Sequence, residues 1–172
     1  MISSEEFGAL FEKFGREAFR LETLDDYSGS TDPEELRAYF AGETKPEGYN
    51  GSWLETIRRN TEAGRRMYRV HVLSRPLTDY LRYELEWGYL TNMTAGEEFY
   101  ILDTTDQPDP LEDVPDFWMF DETSVVSMDY DAHGGFLRGE HEPDAERWKQ
   151  WRDMAISRAA PFTEWWERYG TG

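Results

Sequence analysis

Histidines and carboxylates are the side chains of this sequence most able to act in catalysis or metal binding. The chain contains His71, His133 and His141 together with 36 acidic residues. Zinc hydrolases commonly carry H-E-x-x-H on one helix, and that pattern does not occur. A carboxylate-plus-histidine site for Mg²⁺ or Mn²⁺ is an alternative that no spacing identifies. We therefore predict no catalytic residue, no metal site and no cofactor.

Serine and glycine motifs are missing as well. Gly29-Ser30 and Gly51-Ser52 are not part of G-x-S-x-G, the turn that exposes a nucleophilic serine. G-x-G-x-x-G and the phosphate-binding loop are also absent, and Gly134-Gly135 is typical of a turn between strands. The sequence therefore gives no support for serine catalysis or nucleotide hydrolysis.

Five candidate binding residues lie on or just before a predicted helix at residues 78–89: Arg75, Tyr80, Arg82, Glu84 and Trp87. On an α-helix Tyr80, Glu84 and Trp87 share one face, because they are spaced i, i+4 and i+7. An aromatic and acidic face suits a basic or planar ligand, or an arginine of a protein partner.

The alternative interpretation of this face is structural. Tyr80 and Trp87 would pack against the sheet or the first helix, while Glu84 would pair with Arg20. His71 lies in a predicted strand with Arg69 on the same side, a position where histidine is more often structural than catalytic.

Hydrophobic periodicity and capping residues predict three helices before the first strand. Ser3 with Glu6, and Ser52 with Glu55, have the spacing of a capping box, in which each side chain satisfies a free backbone amide. Proline after an aspartate favours a further helix start. The predicted helices cover residues 3–21, 32–42 and 52–64.

The pattern then changes to alternating β-formers, which predicts strands at residues 67–73, 99–102, 117–120, 124–130 and 136–141. Short turns between the last three favour antiparallel pairing. A final helix starts at Pro143 or Asp144 and is interrupted by Pro161. We predict one α+β domain over residues 1–172, with helices packed on a mostly antiparallel sheet of four to five strands. Residues 1–64 would be helical, 65–142 the sheet with one helix, and 143–172 the closing helix.

The charge of the chain restricts its partners. The net charge is −18, from 36 acidic and 18 basic residues. This field repels phosphate backbones and anionic membranes, so we predict no direct nucleic-acid or membrane binding. There is no cysteine, which suits a reducing cytoplasm. A basic protein is the partner that this charge would attract.

The segment from Asp103 to Asp116 has three prolines, six acids and no base. We predict a mobile loop that could engage the basic surface of a DNA-binding protein. The alternative is a solvated connection with no role in binding.

Several segments resemble a known family when they are read in order: REAFRLE, AGRRMYRVHVLSRPLTDYLRYELEWGY, AGEEFYILD and DFWMFDE. The family consists of uncharacterised actinobacterial proteins, often encoded beside helix-turn-helix regulators in toxin–antitoxin-like gene pairs. This resemblance implies a cytoplasmic protein with a regulator as its partner, and it implies no reaction.

A second similarity, based on element order, is to one half of the phospholipase D-like fold with its H-x-K-x4-D motif. Aligning DFWMFD with that motif gives Asp121 the aspartate position. Val114 then stands where the histidine belongs and Asp116 where the lysine belongs. The resemblance implies a shared fold whose phosphodiester chemistry has been lost.

We therefore expect a non-catalytic accessory protein that acts with a helix-turn-helix regulator. The alternatives are a hydrolase or nuclease and a small-molecule sensor, and the oligomeric state is open. The candidate ligand- or partner-binding residues are Arg20, His71, Arg75, Tyr80, Arg82, Glu84, Trp87 and Asp121.

Overall fold

A mixed sheet forms the centre of the protein in the computed structural model, which describes residues 1–170. Its strands are β1 (Glu17–Glu22), β2 (Arg66–Leu73), β3 (Glu98–Asp103), β4 (Asp116–Phe120), β5 (Ser124–Tyr130), β6 (Phe136–Glu142) and β7 (Ala160–Pro161). They are arranged in the order β6-β5-β4-β1-β2-β3-β7. Strands β1, β2 and β3 are parallel to one another, whereas the remaining pairings are antiparallel.

The predicted α+β class is confirmed, but the prediction of four to five mostly antiparallel strands was wrong. The sheet has seven strands, and its centre is parallel. Parallel neighbours need a crossover connection, usually helical. The helices that follow β1 and β2 provide these crossovers.

The helices are α1 (Ser4–Lys13), α2 (Pro33–Phe40), α3 (Gly51–Glu62), α4 (Asp79–Tyr83), α5 (Leu90–Met93), α6 (Glu146–Arg158) and α7 (Phe162–Tyr169). A π-helical segment, Glu84–Tyr89, joins α4 to α5. One face of the sheet packs on α6 through Trp148 and Ala155. The other face packs on α1 to α5 and α7. Among residues 1–170, no helix has the length and apolar character needed to cross a membrane.

The first helix is shorter than predicted, because residues 17–22 form the central strand β1. The capping box of Ser3 and Glu6 is present, and the helix ends at Lys13. Between Gly15 and Glu22 the backbone bonds to β2 and β4, so tertiary pairing overrides the helical spacing of the apolar residues. The predicted helical part, residues 1–64, thus contributes the middle of the sheet.

The other predicted elements are mostly confirmed, with two differences. Helix α3 begins at Gly51 after Asn50 in a left-handed conformation, and no side chain caps it, so the predicted box of Ser52 and Glu55 is not formed. The helix predicted at residues 78–89 continues to Met93 and changes to π geometry at Glu84.

The acidic loop between β3 and β4 is anchored by its apolar residues. Leu111 and Val114 are buried in the core on the α6 side of the sheet. Asp103 accepts hydrogen bonds from Arg75 and Trp165, and Asp116 is buried. The segment is therefore packed at both ends and in its middle, and its exposed acids are at residues 106, 112 and 113.

Asp121 organises the turn between β4 and β5. Its carboxylate accepts backbone N–H bonds from Gly15, Arg16 and Glu17 at 2.7, 2.7 and 3.0 Å. Partial burial works against ionisation, but these N–H groups outweigh it and hold the pKa of Asp121 below its usual range. Asp121 thus ties the turn to the chain entering β1.

We predict that Asp121→Asn lowers the free energy of unfolding by about 1 kcal/mol at neutral pH, because an amide cannot accept all three bonds. Asparagine tolerates the positive φ of this residue, so the backbone is not strained further. The carboxylate stabilises the fold above its unfolded-state pKa, and that contribution is lost as the pH falls through the lower folded-state pKa.

Urea unfolding of both proteins between pH 7 and pH 2 measures this difference, which should shrink on acidification. Asp129→Asn is the control, since Asp129 is half exposed and pairs with Arg138 on the surface. A constant difference across this pH range would contradict the role given to Asp121.

Candidate functional site

Four charged or titratable side chains of β1 and β2 lie side by side on the face of the sheet that is covered by α1 to α5. The parallel register pairs Arg20 with Arg69 and Glu22 with His71. Alternate residues of a strand point to the same face, so Arg20 and Glu22 share it with Arg69 and His71. Together with Glu84, Glu97 and Asp116, these residues form the charged cluster. All are buried except Arg69 and Glu84, whose side chains are 12% and 13% exposed.

Arg69 is surrounded by carboxylates. Its Nη1 donates to Glu22 Oε1 at 2.7 Å, and its Nε and Nη2 donate to Glu97 at 3.3 and 2.9 Å. The carboxylate of Glu97 also accepts a bond from the indole N–H of Trp53 at 3.2 Å. Burial alone would raise the pKa of Glu22, but the Arg69 guanidinium holds it well below its usual range. Glu22 is therefore ionised.

Arg20 pairs with Asp116 at the start of β4. Its Nη2 donates to Asp116 Oδ2 at 3.0 Å and to the Tyr130 hydroxyl at 2.8 Å. Asp116 also accepts bonds from Thr23 and from the hydroxyl of Tyr27. The predicted pairing of Arg20 with Glu84 is not formed, since the acidic partner of Arg20 is Asp116.

Glu84 is the member of the cluster whose burial is least compensated by hydrogen bonds. Its Oε2 is buried and has no hydrogen-bond partner among the described residues. Burial raises the pKa of Glu84, and the neighbouring Glu22 carboxylate raises it further. Burial also raises the pKa of Glu97, while Arg69 opposes this shift. Counted formally with Glu84 neutral, the cluster holds two guanidinium charges against the carboxylates of Glu22, Glu97 and Asp116. A surplus of one negative charge is left.

The π-helical segment explains why Glu84 and Tyr89 both face His71. Five residues are about 140° apart around an α-helix, which places them on different faces. The wider π turn, with its i→i+5 bonds, brings such residues closer to one face. The Tyr89 hydroxyl lies 2.9 Å from both His71 Nδ1 and Glu22 Oε1, and Glu84 Oε2 lies 3.6 Å from the same ring nitrogen.

A cavity of about 570 Å³ opens above the charged cluster. Arg20, Arg69 and Glu84 reach its floor. Aromatic side chains dominate its walls: Phe7, Phe11, Tyr49, Trp53, Tyr80, Tyr83, Tyr89 and Trp118. Burial raises the pKa of Tyr49 to about 12, so its phenol is a neutral hydroxyl at physiological pH. Asp32 and Glu35 add carboxylates to the lining.

The structure brings four of the predicted site residues together and places the other four elsewhere. Arg20, Tyr80 and Glu84 line the cavity, and His71 lies in the cluster below it. Trp87 is buried against Tyr39 and Tyr49 and is not part of the lining. This separation of Trp87 from Glu84 follows from the π turn, which the α-helical spacing did not anticipate.

Arg75, Arg82 and Asp121 also lie away from the cavity lining. Arg75 donates to Asp103 and contacts the ring of Tyr169. Arg82 shares a different surface depression with Arg75. Asp121 binds backbone amides, as described above.

Sequence reasoning missed Glu22, Glu97, Asp116 and the role of Arg69. One signal was present in β1, where Phe19 and Leu21 alternate with charged residues, a period of two typical of a strand. The positions of Glu97 and Asp116 depend on tertiary packing, and no local pattern indicates them.

We predict that Arg69→Met lowers the free energy of unfolding by about 3–5 kcal/mol, because it leaves Glu22 and Glu97 buried without their partner. The matched control is Arg66→Met on the same strand, whose ion pair with Glu98 is 43% exposed on both sides. That change should cost about 1 kcal/mol or less. Urea denaturation measures both variants, and equal losses would contradict the importance given to the cluster.

Comparison with known structures supports the architecture. A phosphatidylserine synthase from Haemophilus influenzae Rd KW20 is similar, with a TM-score of 0.50 at 9% sequence identity. The alignment covers 94% of this chain and 38% of the synthase, so the chain spans well under half of that protein. At this identity the likeness concerns the fold alone.

A search of curated proteins found no match. A family model does match, over residues 5–167, and its description assigns no activity. Because that match includes nearly the whole chain, the protein belongs to the family described as Domain of unknown function (DUF6879).

Proposed function

We propose that the protein is a binding protein that holds a small planar or basic organic molecule in the cavity above the charged cluster. The observation that carries this proposal is the cavity itself, at about 570 Å³. Pockets for small molecules are typically about 300–1,000 Å³ and are lined by aromatic side chains with a few polar groups. This cavity has that composition.

The charge of the lining favours a cationic ligand. The guanidiniums of Arg20 and Arg69 at the floor are neutralised by their buried carboxylate partners, and Asp32 and Glu35 add two further negative charges to the lining. The cluster beneath has a surplus of one negative charge when Glu84 is neutral. Tyrosine and tryptophan faces attract cations through their ring quadrupoles. A planar ring bearing an ammonium or amidinium group would therefore match both the walls and the floor.

The burial and the contacts of His71 favour binding over catalysis as the role of this site. The ring is fully buried, and both of its nitrogens lie within hydrogen-bonding distance of protein atoms, Tyr89 on one side and the Leu24 carbonyl on the other. A general base must reach the proton that it removes. His71 does not line the cavity, so its ring is not placed to remove a proton from an organic molecule bound there.

We predict that tyramine quenches the fluorescence of Trp53 and Trp118, which line the cavity. The matched probe 4-hydroxyphenylacetate has the same ring and the opposite charge, and we expect it to bind at least tenfold more weakly. Fluorescence titration compares the two probes. Equal affinity for the two, or binding of the anion alone, would contradict a cation-selective cavity.

We further predict that Gly88→Leu weakens the binding of tyramine while the fold is retained. Gly88 lines the cavity, and a Cβ there meets the Tyr49 hydroxyl and Glu84 Cγ at 3.8 and 3.9 Å, which are ordinary contacts. A larger side chain at this position should project into the ligand space. Glycine inside a helix lowers the stability of that helix by about 1 kcal/mol relative to alanine, so replacing Gly88 should not in itself destabilise the helix.

Gly51→Leu is the control, since Gly51 begins α3 outside the lining and has open space around it. Calorimetry of tyramine binding, with thermal unfolding as the test of folding, separates the two variants. Unchanged affinity in a folded Gly88→Leu protein would mean that the probe binds elsewhere.

We propose, second, that the protein acts with a helix-turn-helix regulator through its acidic exterior. Support comes from the net charge of −18 and from the exposed acids of the β3–β4 loop, Asp106, Glu112 and Asp113. The resemblance to the family of uncharacterised proteins implies a regulator encoded beside the gene, and it implies a cytoplasmic location. Ligand binding in the cavity would then be transmitted to the regulator through this complex.

Co-purification with that regulator at 50 mM and 500 mM salt tests the second proposal. We expect a stoichiometric complex that weakens with salt, because screening reduces attraction between exposed charges. Neutralising Asp106, Glu112 and Asp113 together should weaken it further. The absence of a complex at both salt concentrations would contradict the partnership.

A further inference from the structure

The hydrogen bonds of His71 fix its tautomer. Nε2 lies 2.8 Å from the carbonyl oxygen of Leu24, which can only accept, so Nε2 carries a hydrogen. In the neutral ring the lone pair is then on Nδ1. This nitrogen faces Glu22 Oε2 at 3.9 Å and Glu84 Oε2 at 3.6 Å. Histidine ligands of metal ions are held in the same way, with the second nitrogen donating to a carbonyl or carboxylate.

The three atoms are close to the spacing of ligands around one metal ion. His71, Glu22 and Glu84 each offer one ligand atom, and these atoms lie within 4.8 Å of one another. Two ligands bound at about 2.1 Å are about 3.0 Å apart at a right angle and about 3.4 Å apart in a tetrahedron. The separations of 3.6 and 3.9 Å from Nδ1 exceed these spacings by about 0.2 to 0.9 Å, a difference that rotation of the two carboxylate side chains can reduce.

The two carboxylate oxygens are available as ligands, whereas an ion at His71 Nδ1 must replace the 2.9 Å contact of that nitrogen with the Tyr89 hydroxyl. Glu22 Oε1 accepts the bonds from Arg69 and Tyr89, so its Oε2 is directed at the histidine. Glu84 Oε2 is buried without a partner among residues 1–170. If Nδ1 binds a cation, the Tyr89 hydroxyl keeps its bond to Glu22 Oε1. Glu84 also lines the cavity, which gives an ion a route to the cluster.

We infer that Glu22, His71 and Glu84 form a binding site for one divalent first-row transition-metal ion at the floor of the cavity. One imidazole and two carboxylates suit Mn²⁺, Fe²⁺ and Zn²⁺, whereas Mg²⁺ and Ca²⁺ prefer oxygen ligands alone. The ion displaces the proton of Glu84 when it binds, so two carboxylates then balance its charge. The cavity leaves the outer coordination positions of the ion open to water or ligand. The inference goes beyond the proposed function, because it needs no organic ligand.

Titration of the full chain with MnCl₂ alone, followed by the electron paramagnetic resonance signal of free Mn²⁺, tests the site. We expect one ion per chain, and at least tenfold weaker binding in Glu84→Gln. Glu86→Gln is the matched control, since Glu86 is exposed, contacts Tyr39 and lies outside the cluster. Its binding should equal that of the natural protein.

Binding that is unchanged in Glu84→Gln would assign the Mn²⁺ to surface carboxylates and overturn the inference. The absence of stoichiometric binding would overturn it as well. Both outcomes differ from failure of the organic-cation proposal, which the tyramine titration in metal-free buffer decides alone.

A measurement on the natural protein covers the case in which the variant does not fold. Addition of ZnCl₂ should shift the ¹⁵N resonance of His71 Nδ1, while Nε2 keeps its hydrogen and its bond to Leu24. The residues His133 and His141, in a turn and near the end of β6, serve as internal references. A shift confined to those two rings, or no shift at all, would contradict a site at His71.

Discussion

Two arginines side by side inside a sheet are the constraint on which much of this structure depends. Arg20 and Arg69 are in register on neighbouring parallel strands, and both are almost completely buried. Buried charges are tolerated when they are paired and hydrogen-bonded. Asp116 from β4, Glu97 from the end of the second crossover and Glu22 from β1 supply the partners. Three separate parts of the chain are thus tied to one position in the sheet.

The same pairs explain why a cavity persists above the sheet. Trp118, which is paired with Arg20 across β1 and β4, lies against both guanidiniums, with its ring centroid 5.8 Å from Arg20 Cζ and 5.5 Å from Arg69 Cζ. Apolar groups packed directly on these charges would offer them no polar contact to offset the cost of their burial. The helices above therefore contact one another through aromatic rings, and they leave space over the cluster.

The sequence predicted what depends on local pattern. Strands β2 to β6 are rich in β-formers and α2 has its cap, so these elements were found close to their observed bounds, whereas for α1 only the capped start was predicted correctly. Strand β1 was not found, because the helical spacing of Phe7 to Leu21 competes with the alternation of Phe19 to Glu22. Its strand state is decided by pairing with β2 and β4, distant in sequence. The pairing of Arg69 with Glu97 is equally non-local.

The sequence predicted the site residues that follow α-helical spacing, and it did not predict those that are placed by the π turn. Tyr80 and Glu84 share a face at α-helical spacing, which the first turn of the crossover helix obeys. Trp87 is absent from the cavity lining and Tyr89 reaches the cluster because the next turn has π geometry. Propensity does not indicate such a turn, since the residues of Glu84–Tyr89 also suit an α-helix apart from Gly88.

A π turn contains one residue more than the α turn that it replaces. The meeting of Glu84 and Tyr89 at His71 is therefore encoded by the length of the crossover helix as well as by its residues. A relative that keeps every side chain of the cluster but lacks one residue between Tyr80 and Asn92 would present a different face to the sheet. In this family the insertions and deletions within that helix, more than the substitutions, would separate the proteins that share this site from those that share only its fold.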